Sequence, residues 1–188
     1  MLSKIYGYRY SPGHLRNCDF VDGLTHWTAD PAEALRADSF AGYGKRSQHR
    51  WGAPGGTGDT FCVFTRGEER ANTLTQTATD LSPGKVYTLQ FVTADYQDMV
   101  AGKFAPRQLG LEAVLGPGAE VFPEKSYVFV DRRNSGRKKN DGKVRVNLNH
   151  IRFRATAPSI TVTFTDAKAA PGTEIALNYV MLKPYFEE

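Results

Sequence analysis

The sequence predicts an all-β, antiparallel sandwich, and three observations carry the prediction. About ten short segments alternate apolar and polar residues with the period-two pattern of a pleated strand. Gly/Pro/Asn/Asp clusters separate them. No stretch shows a clear helical period. At 188 residues the chain is long enough for one domain with a sizeable core.

Taken in order, residues 4–10 place Tyr6, Tyr8 and Tyr10 on one side, and Ser11-Pro12-Gly13 breaks the run. We read 1–14 as a lead-in strand or linker from an upstream domain and 15–188 as the sandwich. Residues 33–40 are ambiguous, since Ala32, Ala34, Leu35 and Ala37 suit a helix. The sandwich pattern wants a strand there, and strand is the expectation. A glycine-rich loop spans 42–58, followed by an apolar, central strand over 60–66.

The most regular stretch is 73–91. Leu74, Gln76 and Ala78 alternate with threonines, and Tyr87, Leu89 and Phe91 alternate with Thr88, Gln90 and Val92. This predicts two strands with threonine on the wet side. Between them, Pro83 pre-sets φ and Gly84 supplies the positive φ of a type II turn. A long loop is expected over 95–107, and strands over 108–115 and 120–130. A basic hairpin tip follows. In 144–155 the apolar parity shifts near Asn149, which predicts a bulge. Strands over 159–165 and 175–182 close the chain.

Two cysteines do not make a disulfide framework. Cys62, inside Phe61-Cys62-Val63-Phe64, is expected as a buried small hydrophobe rather than half of a bridge with Cys18. Residues 131–145 hold seven Lys/Arg against two Asp, a surplus larger than the whole chain's net +4, so the basic pI reports one loop. That loop has no interleaved aromatics, which argues against nucleic acid as a partner. No run of 18 apolar residues exists to cross a membrane as a helix. Residues 1–10 lack the apolar core of a signal peptide.

Three pieces carry a family resemblance. Asn17-Cys18-Asp19-Phe20-Val21-Asp22-Gly23-Leu24 with Trp27 resembles an opening Asn-x-x-Phe-Glu-x-Gly-x-x-x-Trp pattern. Leu81-Ser82-Pro83-Gly84-Lys85-Val86-Tyr87 resembles a central turn, and Leu177-Asn178-Tyr179-Val180-Met181-Leu182 a closing strand. In this order they resemble the carbohydrate-binding modules of the galactose-binding-like jelly-roll superfamily. The resemblance implies a jelly-roll sandwich and a non-catalytic module of a larger polysaccharide-processing enzyme, extracellular or periplasmic if that enzyme is secreted. Its partners would be carbohydrate and a neighbouring domain. The alternative is a structural or interaction domain of the same fold that packs on a neighbour and binds no sugar.

Enzyme motifs are missing. There is no Gly-x-Ser-x-Gly elbow. Residues 42–47 lack the first glycine of a phosphate loop, and the four histidines have no zinc spacing. Asp95 with Asp98, or Glu112 with Glu120, could pair for glycoside hydrolysis only across a suitable cleft. Solvated surface carboxylates are the plainer expectation.

Related modules hold a structural calcium with the Glu after the motif Phe and the Asp of the closing strand. Here these positions are Val21 and Asn178. Asp19, Asp22 and Asn178, with backbone carbonyls, are the residues left to hold calcium. The alternative is a hydrogen-bonded capping network.

A sugar site needs a flat aromatic face with polar side chains beside it. The 43–51 loop has both. Trp51 or Tyr43 is the expected platform, with Gln48, His49 and Arg50 as hydrogen-bond partners, and Tyr96, Gln97 and Asp98 could line the same end. Trp27, Tyr127 and Phe129 are expected in the core.

Overall fold

The computed structural model describes residues 6–8, 13–40, 59–103, 106–133 and 145–186, with the backbone alone at 131–133. The 43–51 loop and most of the basic tip lie outside these residues.

The described chain runs β1 (Thr28–Asp30), β2 (Leu35–Ser39), β3 (Thr60–Thr65), β4 (Thr73–Ala78) and β5 (Val86–Asp95). Then come helix α1 (Tyr96–Val100), β6 (Glu112–Leu115), β7 (Ala119–Val121), β8 (Tyr127–Arg133), β9 (Arg145–Ala155), β10 (Ile160–Thr165) and β11 (Glu174–Pro184). All pairings are antiparallel. A small sheet has the order β1-β4-β10-β6. A larger one has the order β2-β3-β11-β5-β9, with β7 and β8 both on β9. This is the expected all-β sandwich.

The most regular strand is β10. Ile160, Val162 and Phe164 are buried while Thr161, Thr163 and Thr165 stay partly exposed, the half-buried pattern of a sheet with one wet face. Its Thr163 meets Thr75 of β4 across the ladder, with hydroxyls 3.1 Å apart. Facing it from the larger sheet, Tyr87, Leu89 and Phe91 of β5 complete the core. Phe164 packs edge-on to Phe91 and tilts against Trp27, at 5.1 and 5.9 Å. Trp27 is buried as expected, and its indole N–H donates to Asn17 O at 3.1 Å. Each such side chain is worth roughly 1.5–3 kcal/mol of transfer free energy.

The turn after β4 forms with Gly84 at φ +82° and Lys85 N–H donating to Ser82 O. It does not join neighbouring strands, because β4 lies in the small sheet and β5 in the large one. Thr88 and Gln90 are buried rather than wet, because β5 is central and longer side chains from both neighbours close over them.

A second apolar cluster explains two further departures. Phe61, Val63, Val92, Ala94, Met99, Val146 and Ala176 pack on the outer face of the large sheet at one end. That end is capped by α1, a helix where 95–107 was expected to be loop. Asp95 caps it, accepting from Asp98 N–H at 2.7 Å. The parity shift in β9 is not a bulge, since its register with β5 is unbroken from Asn147 to Arg154. Val146 and Leu148 face the outer cluster, whereas Ile151, Phe153 and Ala155 face the inner core. The irregularities fall instead in β8 between Phe129 and Arg132 and in β11 between Asn178 and Met181, where Tyr179 has φ +55°. The expected 120–130 strand is broken by a 3-10 turn at Pro123–Lys125.

At the start of the chain, the Tyr8 hydroxyl lies 2.8 Å from Val86 O and 2.6 Å from Tyr185 O, with its ring edge-on to Tyr87. His14 is buried, with Nδ1 2.8 Å from Thr79 O. Both cysteines are free.

Candidate functional site

Of the residues expected to bind sugar, Tyr43, Gln48, His49, Arg50 and Trp51 lie outside the described residues. Tyr96 and Asp98 sit on α1, and both are engaged internally. The Tyr96 ring packs on Phe61 at 5.9 Å under the Arg36 guanidinium, and its hydroxyl donates to Asp38 Oδ2 at 2.5 Å. That hydrogen bond, reinforced by desolvation, raises the Tyr96 pKa. Tyr96 thereby ties α1 to β2. The Asp98 carboxylate is 3.2 Å from Arg107 Nη1, and Arg107 also contacts Asp95. The open cleft beside them measures about 30 Å³, space for a few waters.

The remaining carboxylates weighed for catalysis are also paired. Glu112 meets Lys168 at 2.5 Å on the small sheet, and Glu120 meets Arg154 at 2.8 Å on the large one. Glu112 and Glu120 therefore belong to opposite sheets, and neither faces a partner carboxylate as acid–base work requires.

Asp19, Asp22 and Asn178 surround the junction of the opening loop with the closing strand. Thr60 links two of them: its hydroxyl donates to Asp19 O at 2.7 Å, and its carbonyl accepts from Asn178 Nδ2. Val180 N–H donates to Cys18 O at 3.1 Å, and Asp22 N–H to Asn17 Oδ1 at 3.1 Å. Asn178 is buried with its amide nitrogen turned to Thr60. Among the described residues no three His, Cys, Asp or Glu side chains gather as a metal site. This donor set does not fit calcium, which takes six to eight oxygens, several usually anionic. It fits a hydrogen-bonded cap.

The outer face of the large sheet, away from α1, carries the exposed aromatics. Tyr127 and Phe129, expected in the core, are 39% and 52% exposed. They alternate on one face of β8, which pairs only with β9 among the described residues. With no described strand beyond it, their rings are left exposed. Register sets Tyr127 opposite His150 and Phe129 opposite Leu148. Tyr127 stacks on His150 at 4.6 Å and meets Phe129 edge-on at 4.9 Å.

Polar groups adjoin this shelf. Antiparallel partners share a face, so Met181, Gln90, His150 and Tyr127 form one row and Lys183, Thr88 and Arg152 the next. Lys183 Nζ donates to Gln90 Oε1 at 3.1 Å, and desolvation lowers its pKa. The Arg152 guanidinium lies 3.7 Å from the Tyr185 ring centroid. A rigid aromatic edge beside fixed donors and acceptors is chemically what a sugar ring needs: an apolar face for its C–H groups and hydrogen bonds for its hydroxyls. Sequence reasoning missed this shelf because Tyr-Val-Phe-Val is apolar on both faces and reads as a buried strand. Nothing local marks β8 as an edge.

No family model matches the chain, and no curated protein matches it. Solved structures do match in fold. TmCBM61, a carbohydrate-binding module in complex with β-1,4-galactotriose, superposes with a TM-score of 0.51 at 15% identity, covering 93% of this chain and all of that one. A Stig cyclase from Fischerella sp. TAU gives 0.53 at 14%, covering 93% of this chain and 97% of that one. The enzymatically active domain of tailspike protein 4 from bacteriophage CBA120 gives 0.52 at 12%, and this chain spans 92% of itself but only 21% of that one. The shared fold is the jelly-roll sandwich. At these identities it specifies no activity.

Proposed function

We propose that this chain is a non-catalytic carbohydrate-binding module of the galactose-binding-like type, and that it binds sugar on the open face of the large sheet. One observation carries the reading: Tyr127 and Phe129 stand exposed and edge-on to each other on β8, beside the polar side chains of His150, Lys183 and Arg152. The likeness in fold to a galactotriose-binding module supports it. The module serves a larger polysaccharide-processing enzyme as a neighbouring domain, raising that enzyme's local concentration on its substrate.

The test is a glycan array followed by titration of the best ligand into the intact chain and three variants, Tyr127→Ala, Phe129→Ala and Trp51→Ala. Loss of affinity in the first two with the cooperative fold retained supports the β8 shelf. Loss only in Trp51→Ala moves the site to the 42–58 loop. No glycan bound by the intact chain favours an interaction domain instead.

A further inference from the structure

The row beside the aromatic shelf is cationic and, among the described residues, lacks a counter-charge. Lys183 and Arg152 flank Thr88 on the two strands next to β5. Lys183 is half-buried, and its Nζ donates to a neutral amide, Gln90 Oε1, with no ion pair among the described residues. Arg152 stacks on Tyr185, and its Nε is buried without a hydrogen bond. The acidic side chain nearest by register, Glu120, is held by Arg154 at 2.8 Å, and the Arg154 guanidinium also lies over the Phe122 ring. At the other end of this face, Asp38 and Glu174 are held by Arg36 and Tyr96. Two partly desolvated cations therefore share a face on which Glu120, Asp38 and Glu174 already have partners. Burying a charge without a partner costs stability, so such a pair suits a site whose anion arrives with the ligand.

Resting on the reading of this face as a carbohydrate site, we infer that the sugar it selects is acidic, a uronic acid whose carboxylate is taken by Arg152 and Lys183 while Tyr127 and Phe129 carry its pyranose face. The spacing suits it. Neighbouring strands lie about 4.8 Å apart and alternate residues about 7 Å along a strand, which sets Tyr127 and Arg152 roughly 8 Å apart at the backbone. Stacking on Tyr185 uses the flat face of the guanidinium and leaves its in-plane N–H groups for a planar carboxylate, which they match two to two. Lys183 adds a point charge from across Thr88.

The experiment titrates the intact chain with paired glycans of one linkage, acidic and neutralised: polygalacturonate and alginate fragments and their methyl esters, with a sulfated galactan as a third arm. The acid form should bind at least about tenfold tighter than its ester, as expected for a charge-assisted bidentate contact. Raising salt to about 1 M should erase most of that preference. Arg152→Gln and Lys183→Gln should each weaken the acid form far more than the ester, bringing the ratio of the two affinities close to one, and Tyr127→Ala should weaken both forms alike. Equal binding of acid and ester, both lost in Tyr127→Ala, overturns the acidic selectivity and leaves the shelf standing. A preference for the sulfated arm over every uronate also overturns it. Binding of neither form overturns the shelf and the selectivity together. If Arg152→Gln unfolds, Lys183→Gln and the salt dependence of the intact chain decide the matter.

Discussion

Tyr127 lies nearly flat on His150 across the β8–β9 ladder, with ring centroids 4.6 Å apart and planes 19° apart. The contact holds an exposed ring in one orientation before any ligand arrives, so little rotamer entropy is lost on binding. Stacked pairs contribute about 0.5–1.5 kcal/mol beyond area. Tyr127→Ala should therefore cost less than the roughly 3–5 kcal/mol lost when a fully buried aromatic is truncated to Ala. The same change should weaken glycan binding at least about tenfold. A denaturant melt and a glycan titration of the one variant measure both. A large stability loss would mean that Tyr127 belongs to the core after all.

A buried carboxylate ties the start of β4 to the end of β10. Asp166 is fully buried, and its oxygens accept from Asn72 N–H at 2.7 Å and Asn72 Nδ2 at 2.6 Å, with Arg66 Nε 3.9 Å away. Removing one partner of a buried charged network leaves the others unsatisfied, at about 3–5 kcal/mol. Asp166→Ala should lower the urea midpoint by a corresponding amount without altering glycan affinity, since Asp166 lies far from β8 in the topology. A change below about 1 kcal/mol would show that water replaces the carboxylate.

The alternation of Ile160, Val162 and Phe164 was readable because β10 has one wet and one dry face, so period two maps directly onto burial. Strands with two covered faces were harder. In β9 the apolar set changes faces midway, since α1 and the outer cluster cover only one end of the sheet, and sequence alone turns that into an apparent bulge. The turn at Ser82-Pro83-Gly84 was legible in its chemistry, but turn geometry does not say whether the chain stays in a sheet or crosses to the other. The same limit hid the shelf, because edge position is a property of the whole topology and Tyr127 and Phe129 look locally like core. At the opening loop, Val21 and Asn178 stand at the family's carboxylate positions, which left a calcium cage and a hydrogen-bonded cap as open alternatives.

That point is testable in solution. Calcium at a hundred times its Kd would stabilise the native state by about 2.7 kcal/mol, several degrees of melting temperature. With Asn178 donating to Thr60 O and Asp19 contributing a carbonyl to Thr60, the junction is closed by its own hydrogen bonds. Melting in excess chelator and in millimolar calcium should give the same midpoint. A clear rise with calcium would place the ion at Asp19, Asp22 and Asn178. Asn178→Asp should then enhance the rise, because it restores a family carboxylate.

The last expectation concerns high pH. Cys62 is buried in β3, and desolvation pushes its thiol far above the ordinary 9.0. Burial, with the Asp19 charge adding to it, raises Cys18 to about 12. Tyr179 is raised by burial from 10.0 to about 12. In each case the folded state holds a proton that the unfolded chain releases earlier. Below the unfolded pKa both states are protonated and the full stability is present. As pH climbs from about 9 towards 12 the unfolded chain alone deprotonates, and stability falls. Urea midpoints should thus be level from about pH 7 to 8.5 and decline steadily above about 9. A Cys18→Ala, Cys62→Ala double variant should start somewhat less stable, since a buried methylene-sized group is lost, but show a shallower decline. Native-state alkylation at about pH 8 should likewise be slow at both thiols, because the thiolate is the reactive form. Rapid labelling of Cys18 there, or a midpoint independent of pH to about 11, would contradict the burial assigned to these groups.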